Sequence, residues 1–145
     1  MKSLFFLLLT SACLSSVSAQ VINVPNNAQK DLQEKYKGAT DIKWSNNVAN
    51  YSAKFKMEGI SYKANYKIDG TWDFTEKFIG KDDAPAIVKD SFSKSKYRDW
   101  SVKSVVYVEN TKGEKMYRYE VKKGVSKNYV FFDPEGKLVK TNATL

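Results

Sequence analysis

The spacing of hydrophobic residues predicts two short helices, one in each half of the chain. Hydrophobic side chains recur every four residues in two segments, at Ala28, Leu32 and Tyr36 and again at Ala84, Val88 and Phe92. This spacing is typical of the buried stripe of an amphipathic helix. Each segment begins at a proline, Pro25 or Pro85, a residue favoured in the first helical turn. Side-chain N-caps are expected from Asn26 or Asn27 in the first helix and from Asp83 in the second.

After each predicted helix the hydrophobic period falls to two, which indicates strands. Tyr51, Ala53 and Phe55 alternate with polar residues, and the dipeptide Glu58-Gly59 separates them from a second alternating run. Alternation interrupted by glycine-containing turns is typical of antiparallel hairpins with one face on a hydrophobic core. Trp72, Phe74 and Phe78 are expected to continue this alternation on the core side.

The helix-then-strands pattern occurs twice, at about 24–79 and 84–140. A single copy of fewer than 60 residues would bury too little surface to be stable alone. The sequence therefore predicts one α+β domain over residues 20–145, a tandem repeat of a helix plus four antiparallel strands. Both helices are expected to pack on one face of a shared sheet.

The N-terminus has the three parts of a secretory signal peptide. Lys2 precedes the apolar run Leu4–Leu9, and the small residues Val17-Ser18-Ala19 follow. We predict cleavage after Ala19, no transmembrane segment, and export to the periplasm or medium. The alternative is a lipoprotein anchored through Cys13, although a lipobox normally carries Leu where this chain has Thr10.

The composition excludes several kinds of active site. The chain has no His and one Cys, and that Cys lies within the predicted signal peptide. Ser-His-Asp and Cys-His catalysis and His-ligated zinc are therefore unavailable. We predict no catalytic, cofactor-binding or metal-binding residues and no cofactor. A carboxylate-based hydrolase using a pair such as Asp69 and Asp73 remains a remote alternative, since these residues are better explained as turn formers.

Basic residues give the chain a formal charge of +8, which falls to +7 without Lys2. Six of them lie at the polar positions of the alternating strands: Lys54, Lys56, Lys63, Lys67, Arg118 and Lys122. If the helices cover the apolar face, these six line the open face and form a candidate partner-binding surface. The alternative is a solvated face on which lysines protect strand edges.

A series of short motifs runs through the chain in a fixed order. They are the helix Pro25–Tyr36, Gly38–Trp44, Asn50–Phe55, Gly59 with Tyr62, Ile68–Trp72 and, in the second copy, Phe132–Leu138. In these segments the chain resembles the PepSY-like, β-lactamase-inhibitor-like small exported proteins. The resemblance implies two helix-plus-four-strand units, an open sheet face that binds other proteins, and no family set of catalytic residues. The PepSY name also carries a proposal of peptidase inhibition.

These observations favour an exported, non-enzymatic binding or inhibitory module. Its expected partner is an extracytoplasmic protein, which includes the possibility of a peptidase, bound through the open sheet face. The alternative is a binder of an anionic glycan, a lipid or a small ligand of the cell envelope. Export argues against nucleic acid as the partner. The oligomeric state does not follow from the sequence.

Overall fold

The computed structural model describes residues 22–144. The predicted signal peptide, including Cys13, lies outside the described residues. The elements, in chain order, are α1 (Asn26–Lys35), β1 (Thr40–Asn46), β2 (Asn50–Met57), β3 (Ile60–Lys67), β4 (Trp72–Ile79), α2 (Ala86–Lys94), β5 (Ser101–Asn110), β6 (Lys115–Lys123), β7 (Ser126–Phe132) and β8 (Leu138–Thr144). Neither helix of this part of the chain is long and apolar enough to cross a membrane.

The predicted fold class, an α+β tandem repeat of a helix plus four antiparallel strands, is wrong. All eight strands form one antiparallel sheet in the order of the sequence, and the helices contribute only 10 and 9 residues. β4 pairs with β5 through six residue pairs, from Phe74 with Asn110 to Ile79 with Val105. In two separate four-stranded units, β4 and β5 would each be an edge strand with unpaired backbone N–H and C=O groups. The sheet is therefore continuous across the boundary that the repeats suggested.

Both helices pack against the same face of this sheet, each over its own group of strands. Leu32 of α1 packs on a cluster that includes Phe55 and Tyr66, and all three are at most 2% exposed. Val88 of α2 packs on a second cluster that includes Val105 and other residues of the C-terminal strands. Burial of such side chains contributes about 1.5–3 kcal/mol each. The helix face therefore carries two hydrophobic cores side by side.

The helix starts differ from the prediction. The N-cap residues are Pro25 and Pro85, and neither helix has a side-chain cap hydrogen bond. Asn27 instead donates from its side chain to the backbone carbonyl of Asp69 over 2.9 Å. The Asp83 carboxylate accepts from the Gly80 backbone N–H over 2.9 Å. These two hydrogen bonds therefore anchor the start of each helix to a nearby segment of the same polypeptide.

A β-bulge in β4 reverses the side-chain alternation. Tyr66 of β3 lies opposite Trp72, but its neighbour Asn65 lies opposite Phe74, so Asp73 is an extra residue. Trp72 packs on the core beneath α1, whereas Phe74 lies on the opposite face. The expectation that Trp72, Phe74 and Phe78 share the core side is wrong, because one inserted residue exchanges the faces of all that follow.

The two helices leave part of their own face uncovered. Eight strands spaced about 4.8 Å apart make a sheet about 34 Å wide. Two helices, each about 10 Å across, cover only some 20 Å of that width. The uncovered strip lies at β4 and β5, where Lys77, Tyr107 and Glu109 belong to neither core.

The turn between β7 and β8 packs directly on α2, and we expect Gly136 to be irreplaceable there. Gly136 has a φ of +84°, and a Cβ would lie 3.0 Å from the Ile87 backbone oxygen. Gly59, with a φ of +78°, has open space around its Cα and is the matched control. Both alanine variants acquire left-handed strain of about 1–2 kcal/mol. Gly136→Ala should lose roughly a further 1–3 kcal/mol of unfolding free energy to overpacking, as measured by urea denaturation. Equal losses at the two sites would contradict this close packing.

Candidate functional site

The face of the sheet opposite the helices, called the open face below, carries a row of lysines across three strands. Lys54 of β2 lies directly opposite Lys43 of β1 on one side and Lys63 of β3 on the other. Like charges at opposed positions destabilise a sheet by a few tenths of a kcal/mol to about 1 kcal/mol per pair. Three adjacent lysines therefore have an unfavourable effect on folding, which is offset if the row binds an anionic surface.

The next strand does not neutralise the row. Lys63 lies opposite Glu76 of β4, but the Glu76 carboxylate forms an ion pair with Arg118 instead. Lys56 lies next to Lys54 on the same face of β2, near the C-terminal end of the strand. Its ammonium forms an ion pair with the Asp41 carboxylate over 3.3 Å. Lys67 ends β3 and is exposed. Lys54, Lys56 and Lys63 thus share one region, whereas Lys67 lies opposite Asn50 at the other end of the β2–β3 ladder. Lys43 is a further member of that region that the sequence did not single out.

Arg118 lies apart from these lysines, on β6, and is not a free cation. Its guanidinium reaches across β5 to Glu76, with only 19% and 6% of the two side chains exposed. The guanidinium also lies 4.9 Å from the centre of the Tyr129 ring, a cation–π distance. Arg118 therefore acts inside the open face as half of a buried ion pair.

Lys122 is the penultimate residue of β6 and lies opposite Lys127 of β7. Lys127 pairs with Glu120 over 2.9 Å. Hydrogen bonds to Tyr129 and Glu120 raise the pKa of Lys127 and favour its charged form. The structure therefore separates the six predicted residues into four parts: the neighbours Lys54, Lys56 and Lys63, then Lys67 at the far end of β3, the half-buried and ion-paired Arg118, and the distant Lys122.

Between these basic groups the open face carries an apolar patch on β4 to β7. Although no helix covers them, Val106 is 0% exposed and Val108 is 6% exposed. Phe131 beside them is also buried, and the Lys140 ammonium lies 4.6 Å from its ring centre. The alkyl stems of long basic side chains shield such surface while their charged ends stay near water. Six residues form this apolar patch: Phe74, Phe78, Val106, Val108, Met116 and Phe131.

Two features of β4 and β5 hide this patch from the pattern of the sequence. The bulge in β4 places Phe74 and Phe78 on the face that the alternation assigned to polar residues. In β5, Val105 belongs to the core beneath α2, whereas Val106 and Val108 face the other way. The consecutive valines Val105 and Val106 were the one available signal, since a strand apolar on both faces is buried on both.

A small cavity of about 240 Å³ opens beside the buried ion pair. Its walls are mainly apolar, and Arg118, Asn110 and Asp73 contribute polar groups. A larger cleft of about 570 Å³ opens beside the lysine row, where Lys43, Lys54 and Lys56 line it together with Asp41 and Phe78. Phe55 and Tyr62 also line this cleft, so it reaches the edge of the core beneath α1. The open face therefore offers an apolar depression and a basic one side by side.

The carboxylates of this region are not arranged for metal binding. Across residues 22–144 no group of three or more His, Cys, Asp or Glu side chains could hold a metal ion. The Asp69 carboxylate accepts hydrogen bonds from the backbone and hydroxyl of Thr71, at 2.8 and 2.6 Å. These bonds hold the pKa of Asp69 below its ordinary value. Asp69 thus acts as a turn residue.

Comparison with known proteins gives structural neighbours only. No family model matches the sequence, and no curated protein is significantly similar to it. A DUF2874 family protein from Bacteroides ovatus is 26% identical, with a TM-score of 0.76 over 85% of this chain and 89% of that chain. A BLIP-like protein from Bacteroides fragilis is 24% identical, with a TM-score of 0.75 over 86% and 89%. A structure described as a predicted periplasmic protein from Bacteroides eggerthii is 26% identical, with a TM-score of 0.73 over 83% and 88%.

These neighbours bear on the resemblance to PepSY-like, β-lactamase-inhibitor-like proteins, and they support one part of it but not the other. They support a BLIP-like fold, which corresponds to the β-lactamase-inhibitor-like part. They do not support the PepSY-like assignment.

We expect the ion pair between Glu76 and Arg118 to contribute strongly to the stability of the folded protein. Arg118→Met leaves the buried Glu76 carboxylate without a counter-charge and should lower the unfolding free energy by about 3–5 kcal/mol. Glu76→Gln combined with Arg118→Met should recover most of this loss, because no isolated charge remains. Lys122→Met, on the same strand and face but exposed, should change stability by less than about 0.5 kcal/mol. Urea denaturation of the three variants measures these differences, and equal losses for Arg118→Met and Lys122→Met would refute the assignment.

Proposed function

We propose that this chain is an exported, non-enzymatic binding module that engages an extracytoplasmic protein through the open face of its sheet. The observation that carries the proposal is the juxtaposition of the lysine row, Lys43, Lys54 and Lys63, with the apolar patch. Protein interfaces typically have an apolar centre surrounded by a polar rim. The open face has both parts within a few strands.

The charge of the rim indicates the chemistry of the partner. Lys43, Lys54, Lys63 and Lys67 form no ion pair with any residue of the described segment. An acidic surface on the partner would relieve their mutual repulsion and accelerate the encounter. The apolar patch would then receive an apolar side chain of the partner, with Arg118 held in place by Glu76 at its edge. Lys56 and Lys122 extend the basic rim at its two ends.

Export is part of the same proposal. It is supported by the signal-peptide pattern of residues 1–19 and by the neighbour from Bacteroides eggerthii described as a predicted periplasmic protein. The BLIP-like neighbour supports a binding role rather than an enzymatic one. A peptidase is one class of partner that fits, and blocking its activity would make the module an inhibitor.

A charge-reversal series tests the proposed face. Lys54→Glu/Lys63→Glu should weaken the captured complex at least tenfold, because it places two carboxylates against an acidic partner. Lys30→Glu/Lys94→Glu makes the same change in net charge on the exposed surface of the two helices and should have little effect. Binding of the purified partner is measured by calorimetry at two salt concentrations, and the wild-type affinity should fall as salt rises.

Photo-crosslinking locates the contact independently of charge. A crosslinking amino acid at Phe74, in the apolar patch, should capture the partner from an envelope extract. The same group at Ile87, which is 52% exposed on α2, should not. Equal capture at both positions, or equal weakening by the two charge-reversal pairs, would overturn the proposal. Binding of anionic polymers alone would favour the envelope-ligand alternative instead.

A further inference from the structure

The strip of the helix face between the two cores contains a cleft of about 470 Å³ beside the C-terminal end of α1. This volume falls in the range of small-molecule sites. The cleft lies over β3, β4 and β5, on the side of the sheet opposite the lysine row. It is lined by Lys35, Tyr36, Tyr62, Trp72, Thr75, Lys77, Tyr107 and Glu109.

Aromatic rings form the walls of this cleft. Tyr36, Tyr62, Trp72 and Tyr107 are each half-buried, so that part of every ring faces the open space. Two of them are fixed by the buried Thr75 hydroxyl, which lies 2.5 Å from the Tyr36 hydroxyl and accepts from Trp72 Nε1 over 2.9 Å. The walls are therefore held in position before any ligand arrives.

Charged groups of both signs lie at the rim. Lys77 of β4 and Glu109 of β5 are near neighbours on this face, yet neither forms an ion pair within residues 22–144. The Lys35 ammonium lies 3.3 Å from the centre of the Trp72 ring and 3.9 Å from Asp31. Two ammonium groups and one carboxylate thus border an aromatic cleft, and Lys77 and Glu109 both remain available to a ligand.

We propose that this cleft binds an acidic carbohydrate, a sugar whose ring carries a carboxylate. The face of a sugar ring presents C–H groups, which pack against the electron-rich face of an aromatic ring such as Tyr107. The ligand carboxylate pairs with the Lys77 ammonium, which the structure leaves without a counter-charge. Neighbouring sugar hydroxyls donate to the Glu109 carboxylate.

The mixed rim favours this ligand over two simpler ones. A flat aromatic acid would satisfy Lys77 but would leave Glu109 desolvated without donors, which is unfavourable. A neutral sugar would satisfy Glu109 but would leave Lys77 unpaired. The Tyr107 hydroxyl, which is protonated at neutral pH as in any tyrosine, is a further donor.

Lys35 covers the Trp72 ring and would act as a movable part of the site. It is the last residue of α1, and 36% of its side chain is exposed. Rotation of this side chain away from the ring uncovers the indole for stacking against the sugar. Lys35 is therefore a positioning residue, whereas Lys77 and Glu109 contact the ligand.

Calorimetry with two trisaccharides and a control dipeptide tests the inference on the protein lacking residues 1–19. The probes are tri-galacturonic acid, its neutral counterpart tri-galactose, and a zwitterionic dipeptide. We expect the acid to bind at least tenfold more tightly than the neutral sugar. Lys77→Met should abolish this preference, and Lys77→Arg should retain it. Glu109→Gln should weaken both sugars severalfold.

A matched variant on the other face separates this site from the proposed protein-binding surface. Lys54→Met removes one positive charge from the open face and should leave sugar binding unchanged, whatever its effect on a protein partner. Binding should also change the tryptophan fluorescence, and Trp72→Phe should remove that change, with circular dichroism confirming the fold. No binding of the acid at millimolar concentration, tighter binding of the dipeptide, preference that survives Lys77→Met, or loss in Lys54→Met would each overturn the inference.

Discussion

The pairing of β4 with β5 is the interaction on which the rest of the structure depends. These strands lie at the centre of the sheet, and their six residue pairs join the strands packed under α1 to those packed under α2. Without this ladder each half would expose a long strand edge. With it, the sheet is too wide for two short helices, and the uncovered strip on the helix face follows directly.

The same central position explains why two buried polar side chains are adjacent on β4. Thr75 and Glu76 are adjacent, point to opposite faces, and are 8% and 4% exposed. Each has a specific partner, Tyr36 for Thr75 and Arg118 for Glu76, as a buried polar group requires. One strand therefore contributes a fixed polar group to the aromatic cleft and another to the open face.

Local patterns in the sequence predicted the elements better than their arrangement. The stripe of Ala28 and Leu32 gave α1, and the turn at Glu58-Gly59 was visible because glycine tolerates a positive φ. A shared sheet was expected, but the pairing of β4 with β5 that places all eight strands in chain order was not visible, because it is a long-range contact across a helix. The prediction of a tandem repeat failed at that point.

The candidate sites were predictable to different degrees. Alternation correctly placed Lys54 and Lys63 opposite the cores, since both strands are regular. It could not show that Arg118 is tied to Glu76, two strands away, because nothing local links residues 42 positions apart. Nor could it show the cleft, whose Tyr36, Tyr62 and Tyr107 come from three separate elements.

The bulge at Asp73 links the two proposed surfaces. Because of this one extra residue, Trp72 faces the cleft while Phe74 faces the apolar patch. In a regular strand the two would share a face, and the apolar patch would lack Phe74, which lies opposite Asn110 of β5. An irregularity that costs ladder hydrogen bonds thus supplies an aromatic side chain to each face. Since the two surfaces lie on opposite sides of β4, a protein partner and a sugar can be bound at the same time without steric conflict.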